Sequence, residues 1–393
     1  MAQKKRRLKV VIIILIFVVY FFIAARPVPK ETVLASQWIS SLPVSSFFSN
    51  AEADAAPQVL SGQLVPFTLA NRFGYVDSLG QFAIEKPKTS DIYLSKNMWT
   101  EYSAEPERII INNIVHETQT LINNARGYPI LLDNRIFILG SEQNSLSEYD
   151  AAGNLKWIYE FGAPLTAIDA ASGLVLTGSL DGVVELFNSD GERIFYFEPT
   201  GSRFSVILGC AISRNGSYIG IICGIDQQRF LLFERFGVSG GEYRIVYHEF
   251  LEIGFRRPVR ILFLDEDRRV VFERENGIGC YSIKSKSIKT RSSIFIPLEG
   301  EITAIDELGD NNFFFLVTSS PFNNQDKKLI GIKFPPDRLF GLARNAPKDA
   351  VFMKAPFKSD DAFLYRSRSG ASAESSIIAG GGTVLISFNL EEK

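Results

Sequence analysis

The chain has 393 residues, 46% hydrophobic and 12% aromatic with 32 Phe, which is too much apolar material for a disordered chain. Formal net charge is −2, but Lys4, Lys5, Arg6, Arg7 and Lys9 sit in the first nine residues with no acid. Residues 10–393 therefore hold 37 cations against 44 acids, and such a mildly acidic body argues against a nucleic-acid partner, which needs a basic face to neutralise phosphates.

Residues 10–25 carry no charge, and with Leu8 the apolar run reaches the short end of the ~17 to 25 residues that cross a bilayer. Cations lie before it and only Arg26 and Lys30 close behind, which predicts the N-terminus in the cytoplasm and the rest beyond the membrane. A cleaved signal peptide is the competing reading, with residues 33–35 as the cleavage site. The run is long and β-branched for that role. The expected organisation is a basic tail over 1–9, a transmembrane signal anchor over 10–25, a flexible tether over 26–63 and a folded body over 64–393. The tether holds Pro27, Pro29, Pro43 and Pro57 and could carry a short helix over 31–42, with Trp38, Ile39 and Leu42 near the membrane surface. On this reading the protein is single-pass in a bacterial cytoplasmic membrane, with its body in the periplasm or outside.

The body reads as short strands. Residues 64–70, 73–77 and 81–85 are three apolar runs, and Asp77 and Gly80 bracket the last turn. Residues 86–127 fit less well: strands are expected around 92–94 and 108–114, then a helical excursion over 116–125, as an irregular unit with an inserted loop. From Tyr128 the chain repeats itself. Residues 136–159 overlay residues 174–197 with no gap, so that Gly140 and Ser141 fall on Gly178 and Ser179, Asp150 on Asn188, and Gly153 on Gly191. In each (Asp/Asn)-x-x-Gly turn the first side chain can accept from its own backbone two residues on, and Gly takes the left-handed conformation. Later units start at Leu165, Ile207, Val259 and Ile302, each with two further apolar runs, and the last unit holds three runs between residues 361 and 390.

Short strands at a period near 40 point to a radial or stacked β architecture, since one unit cannot cover its own two apolar faces. The predicted fold is an all-β propeller of about seven four-stranded blades, with six or eight also compatible. Residues 64–70 are expected to complete the last blade and close the ring, which would remove the open edges.

These units resemble the PQQ-like (quinoprotein-type) propeller repeats, whose pattern of apolar strand, Gly-Ser, Asp-Gly, apolar strand, Asp-x-x-Gly and aromatic-ended strand matches residues 174–197 and, in part, 136–161. The likeness is shared in part with WD40-like propellers. The resemblance implies either an enzyme holding a quinone or a binding scaffold, such as envelope proteins that dock partners in outer-membrane assembly. The enzyme branch uses adjacent cysteines, a stacking Trp and calcium ligands. Here Cys210, Cys223 and Cys280 include no adjacent pair, and Trp38, Trp99 and Trp157 are scattered, so none of those residues carries over.

Other chemistry is thin. Cys210 and Cys223 flank a turn at 214–217 on adjacent strands, as two buried thiols or, alternatively, a disulfide. His116 and His248 have no partner at ligand spacing, which predicts no metal site. Residues 237–241 spell G-x-S-x-G between two strands, not on the strand-to-helix bend the chemistry needs. No catalytic, cofactor-binding or metal-binding residue is assigned, and the expected cofactor is none. The structural residues singled out are Asp77, Gly80, Gly140, Ser141, Asp150, Gly153, Gly178, Ser179, Asn188 and Gly191. The function expected is a non-enzymatic scaffold that binds protein partners on one rim, through the segment 86–127 and the loops at 235–243 and 319–327. A sensory or small-ligand-binding propeller is the alternative, and a quinone-dependent oxidoreductase comes third.

Overall fold

The structure is a computed structural model describing residues 13–20, 32–42, 63–69, 71–103, 107–236, 242–251, 254–264, 266–283, 293–308, 313–320, 322–333, 350–358, 362–368 and 375–392. The chain divides into a small unit, Met1–Ala35 with Leu390–Lys393, and a large one, Ser36–Asn389. In the small unit residues 13–20 form a helix whose side chains are all exposed. The rest of the expected anchor, 10–12 and 21–25, lies outside the described residues. Among those described, no helix is long and apolar enough to cross a membrane.

The large unit is an eight-bladed β-propeller. Its strands in chain order begin with β1 (Thr32–Ser41), which the sequence reading had placed in a tether or short helix. Blade 1 is β2 (Val65–Leu69), β3 (Arg72–Val76) and β4 (Phe82–Pro87). Blade 2 is β5 (Asp91–Leu94), β6 (Met98–Tyr102), β7 (Arg108–Asn113) and β8 (Thr118–Asn123). Blade 3 is β9 (Gly127–Leu132), β10 (Arg135–Gly140), β11 (Ser145–Tyr149) and β12 (Leu155–Glu160). Blade 4 is β13 (Leu165–Ala171), β14 (Leu174–Ser179), β15 (Val184–Phe187) and β16 (Arg193–Phe197). Blade 5 is β17 (Ile207–Ile212), β18 (Tyr218–Cys223), β19 (Arg229–Phe236) and β20 (Glu242–Phe250). Blade 6 is β21 (Ile261–Leu264), β22 (Arg269–Arg274), β23 (Gly277–Ser282) and β24 (Ile294–Pro297). Blade 7 is β25 (Glu301–Leu308), β26 (Phe313–Ser319), β27 (Asp326–Lys333) and β28 (Val351–Lys358). Blade 8 is β29 (Ala362–Arg368), β30 (Ser375–Gly381) and β31 (Val384–Glu392), completed on its outer side by β1.

Two expectations are corrected here. The count is eight, not seven, because residues 86–162 are two blades. The polar stretch 116–125 is a turn and strand β8, not a helical excursion. Along β8 only Thr120 and Ile122 are buried, a period of two that its hydroxyl and amide side chains had obscured. The strand that closes the ring is β1, and β2, expected to close it, belongs to a blade of its own. Blade 1 has three strands among the described residues, and its Asp77–Gly80 turn leads into its outermost strand, as the matching turns do in blades 3 and 4. Counted back from that turn, β2–β4 take the second to fourth positions of a regular blade.

The middle strands of blade 4 are buried on both faces, β14 and β15 at every position, whereas outer strands such as β12 and β16 are half open to water, and in blade 2 the third strand β7 is buried on one face only. Between blades the cores are apolar. Leu176, Leu186, Ile207, Ile221, Leu231 and Phe233 fill the space between blades 4 and 5. At the seam of blades 8 and 1, Leu42, Val65, Phe67, Val76, Ile378 and Leu385 do the same with Trp38. Cys210, Cys223 and Cys280 form no disulfide with one another, and their side chains belong to this packing.

Candidate functional site

Antiparallel order fixes two faces. Turns joining first to second and third to fourth strands lie on one face, here the lower; turns joining second to third, and the links between blades, lie on the upper. The strand ends Phe236 and Glu242, which pair, lie at the lower face, while the end of β26 and the start of β27 lie at the upper; residues 237–241 are outside the described residues. Segment 86–127 is a whole blade. The three segments expected to make one rim surface therefore do not share a face.

The lower face is tied together by polar side chains reaching from blade to blade. Asn97 Nδ2 donates to Asn134 Oδ1 at 2.8 Å, Gly173 N to Asp133 Oδ2 at 3.1 Å, and Arg214 N and Asn215 N to the two oxygens of Asp267 at 3.0 and 3.2 Å. The (Asp/Asn)-x-x-Gly turns are part of it. Asp77 Oδ1 accepts from Leu79 N and Gln81 N, Asp150 Oδ1 from Ala152 N and Asn154 N, and Asn188 Oδ1 from Asp190 N and Glu192 N. Gly80, Gly153 and Gly191 have φ of 83°, 86° and 80°. Each turn also receives a donor from the outer strand of the preceding blade: Trp38 Nε1 to Ser78 O, Thr120 Oγ1 to Ala151 O, and Lys156 Nζ to Ser189 O. On the upper side, Gly140 ends β10 and Ser141 opens the next turn, while Gly178 and Ser179 end β14, where Ser179 Oγ accepts from Val183 N at 3.0 Å.

One buried charge cluster stands within blade 3. Glu148 on β11 accepts from Arg135 Nε at 3.1 Å, also from Arg135 Nη2, from Lys156 Nζ at 2.6 Å and from Trp157 Nε1 at 2.8 Å. Burial pushes its carboxyl up, but the bonds and charges of Arg135 and Lys156 outweigh that and hold it below the usual range.

Two concave places among the described residues bear on function. The first, about 460 Å³, lies among the innermost strands β13, β17 and β21 and is lined by Asp169, Cys210, Arg214, Arg260 and Phe263. Asp169 accepts from Ala170 N at 2.9 Å and from Ile212 N at 2.8 Å. Burial nevertheless pushes its carboxyl up to about 6, with Asp133 adding to the rise. Burial and Asp169 also raise the Cys210 thiol well above its ordinary value, so it stays protonated and unreactive at neutral pH. His116 is exposed in the β7–β8 turn and His248 is exposed on outer strand β20. Ser239 lies outside the described residues. Among the described residues no group of three His, Cys, Asp or Glu side chains could hold a metal ion.

The second place is a cleft of about 1160 Å³ on the upper face where blades 6 and 7 part. The inner half of that face of blade 7, Phe314, Leu316, Ile330 and Ile332, packs on Ile278, Ile294, Ile296 and Leu298 of blade 6. Further out, β27 and β28 pair Ile330 with Lys354, Lys328 with Pro356 and Asp326 with Lys358, which puts three ammonium groups on the continuation of the same face. Glu299 lies across from them, 2.9 Å from Lys328 Nζ. The bond to Lys328, with the charges of Lys328 and Lys354, holds the Glu299 carboxyl below its usual value. Phe322, in the β26–β27 loop at the edge of the cleft, is 97% exposed. Sequence reading flagged that loop but missed the lysines. Their signal was the spacing of Lys354, Pro356 and Lys358 at every second residue of an otherwise apolar strand.

Over residues 1–375 the sequence matches a family described as beta-propeller protein. The chain belongs to that family. A relative from Treponema pallidum (strain Nichols), an uncharacterized protein, is 28% identical over 242 residues, and the match spans 62% of each chain, less than two thirds of that relative. Among solved structures, BamB from Moraxella catarrhalis covers 91% of this chain and all of its own at a TM-score of 0.54 and 10% identity. The computationally designed Ika8 protein covers 83% of this chain and 96% of its own at a TM-score of 0.52 and 12% identity. At these identities the likeness is one of fold.

Proposed function

We propose that this propeller, with PQQ-like repeats, is a non-enzymatic scaffold that binds protein partners. A signal anchor at residues 10–25 holds it to a bacterial cytoplasmic membrane, with the propeller on the far side. The observation that carries the reading is the use made of polar groups. On the lower face they bond one blade to the next and inside blade 3 they bond its strands together, whereas on the upper face the cleft between blades 6 and 7 leaves charged and aromatic side chains open. A stiff ring presenting such a surface binds a partner with little ordering of its own. The shape shared with BamB and the likeness of residues 136–197 to the scaffold branch of the PQQ-like repeats support it. Crosslinking in intact cells that express the tagged full chain, followed by purification, should return a specific protein partner. Recovery of nothing above an untagged control would count against the proposal.

The axial cavity around Asp169 and Arg260 favours a second reading, a propeller that takes a small polar ligand. It predicts a rise in melting temperature with a small molecule and no crosslinked protein.

A further inference from the structure

We infer that the cleft between blades 6 and 7 is a docking groove for an extended acidic peptide segment of a partner protein. This rests on the scaffold reading and names its site and the chemistry it takes. The groove exists because β24 ends at Pro297 after four residues, while β28 opposite it runs for eight. Where blade 6 covers blade 7 the face is apolar, and where it stops the same face becomes Lys328, Lys354 and Lys358. A neighbouring blade closing there would have to bury three ammonium groups, which is prohibitive without anionic partners. Glu299 supplies one such partner, bonded to Lys328 and under the influence of the Lys354 charge, and Asp326 stands opposite Lys358 in the register of β27 and β28, which leaves three cations against two acids on this face; among the described residues neither Lys354 nor Lys358 is in an ion pair.

The occupant follows from the lining. Lys354, Pro356 and Lys358 repeat with a period of two along β28, which matches the side-chain spacing of an extended peptide. Pro297 and the bare ring of Phe322 add apolar contact beside the cations, which a peptide with alternating acidic and apolar side chains would use. The cleft is somewhat larger than a drug-sized pocket, which runs to roughly 1,000 Å³. A polyanion such as nucleic acid or an anionic lipid surface fits less well, because beyond residue 9 the chain carries seven more acids than cations and would repel it away from this one patch.

The test uses the full chain in detergent and a fluorescein-labelled peptide of about twelve residues alternating Glu and Leu, read by fluorescence polarisation. The Glu peptide should bind, weaken as salt rises, and lose roughly tenfold or more in affinity with K354E/K358E and severalfold with F322A. Both variants change exposed side chains, so unchanged melting curves are expected, and circular dichroism checks that they fold. Equal binding of a Lys and Leu peptide, or equal affinity of wild type and K354E/K358E, overturns the groove. Tight, variant-sensitive binding of oligothymidine or of phosphatidylglycerol vesicles, with none of the Glu peptide, overturns the choice of occupant. If crosslinking in cells still returns a partner from K354E/K358E, the scaffold reading stands and the groove alone fails.

Discussion

The indole of Trp38 on β1 donates from Nε1 to the carbonyl of Ser78 at 2.8 Å, joining the outer strand of the last blade to the lower turn of the first, 40 residues further along the chain. Thr120 and Ala151 repeat the relationship between blades 2 and 3, and Lys156 and Ser189 between blades 3 and 4. In each case the acceptor is the residue after the Asp or Asn of the turn. Ring closure thus uses the same contact as the ordinary step from blade to blade, with the largest side chain placed where the chain must come back on itself.

Replacing Trp38 should open that seam before any other. W38A removes both the hydrogen bond and the ring that fills the space over Gly80, and a loss of about 3–5 kcal/mol is expected. W38F keeps most of the bulk and should lose about 1 kcal/mol. Hydrogen exchange reads the location: amides of β31 and β2–β4 should exchange faster in W38A while those of blades 4 and 5 stay protected. Uniform loss of protection around the ring would show that Trp38 is not a local closure.

Two glycines in different turns of blade 4 have similar backbone and make a second, matched comparison possible. Gly191 has φ of 80°, and a Cβ there would sit 2.4 Å from Trp157 Cγ; Gly173 has φ of 75° with nothing within 4 Å of the same atom. G173A should therefore show backbone strain alone, about 1 kcal/mol. G191A adds a clash with an indole packed against the next blade and should lose roughly 2–4 kcal/mol in urea denaturation. Equal losses would mean that Trp157 moves aside freely and that the indole does not fix the spacing of blades 3 and 4.

What the sequence made legible follows from this. The repeat over residues 136–197 was readable because its turns need particular residues: Asp150 and Asn188 for their side-chain acceptors, Gly153 and Gly191 for positive φ. Blade 2 was misread because its β7–β8 turn keeps only half of that chemistry: Asn113 Oδ1 accepts from Val115 N and His116 N, but Glu117 rather than a glycine stands at positive φ. Strand β1 was missed for another reason. Its partner β31 lies more than 300 residues away, and no local pattern encodes a pairing that only ring closure brings about. The cationic cleft depends on where β24 stops relative to β28, a difference in strand length between two blades that composition does not show.

Glu148 offers a test that combines charge and pH. E148A leaves Arg135 and Lys156 without their shared carboxylate in a half-buried site, and a loss of about 3 kcal/mol is expected at neutral pH. Because the folded-state carboxyl is held below its unfolded value, the stabilisation is complete above the ordinary Glu range near 4 and fades as pH falls through the lower, folded value. The gap between wild type and E148A should hence be constant from about pH 6 to 8 and shrink towards about pH 3. A gap that grows in acid would contradict the assignment of Arg135 and Lys156 as the partners that set it.

Asp169 should behave in the opposite sense. Its carboxyl is pushed up to about 6 by burial, so between about pH 4 and 6 the folded state keeps a proton that the unfolded chain has already released. Stability from this group is therefore greatest in mild acid and falls as pH rises through that window, levelling off above it. D169N cannot titrate. It loses one of the two backbone bonds, since an amide offers one oxygen where Ala170 N and Ile212 N now use two, and this places the variant below wild type near pH 4. As pH rises past 6 the wild type acquires a charge in a buried site, with Asp133 adding repulsion, and the balance should move by roughly 1–2 kcal/mol in favour of the variant, the full shift being reduced by partial solvation. Urea midpoints of both proteins taken from about pH 4 to 8 give the result directly, and a wild-type-to-variant gap that does not change across that range would show that Asp169 is ionised throughout.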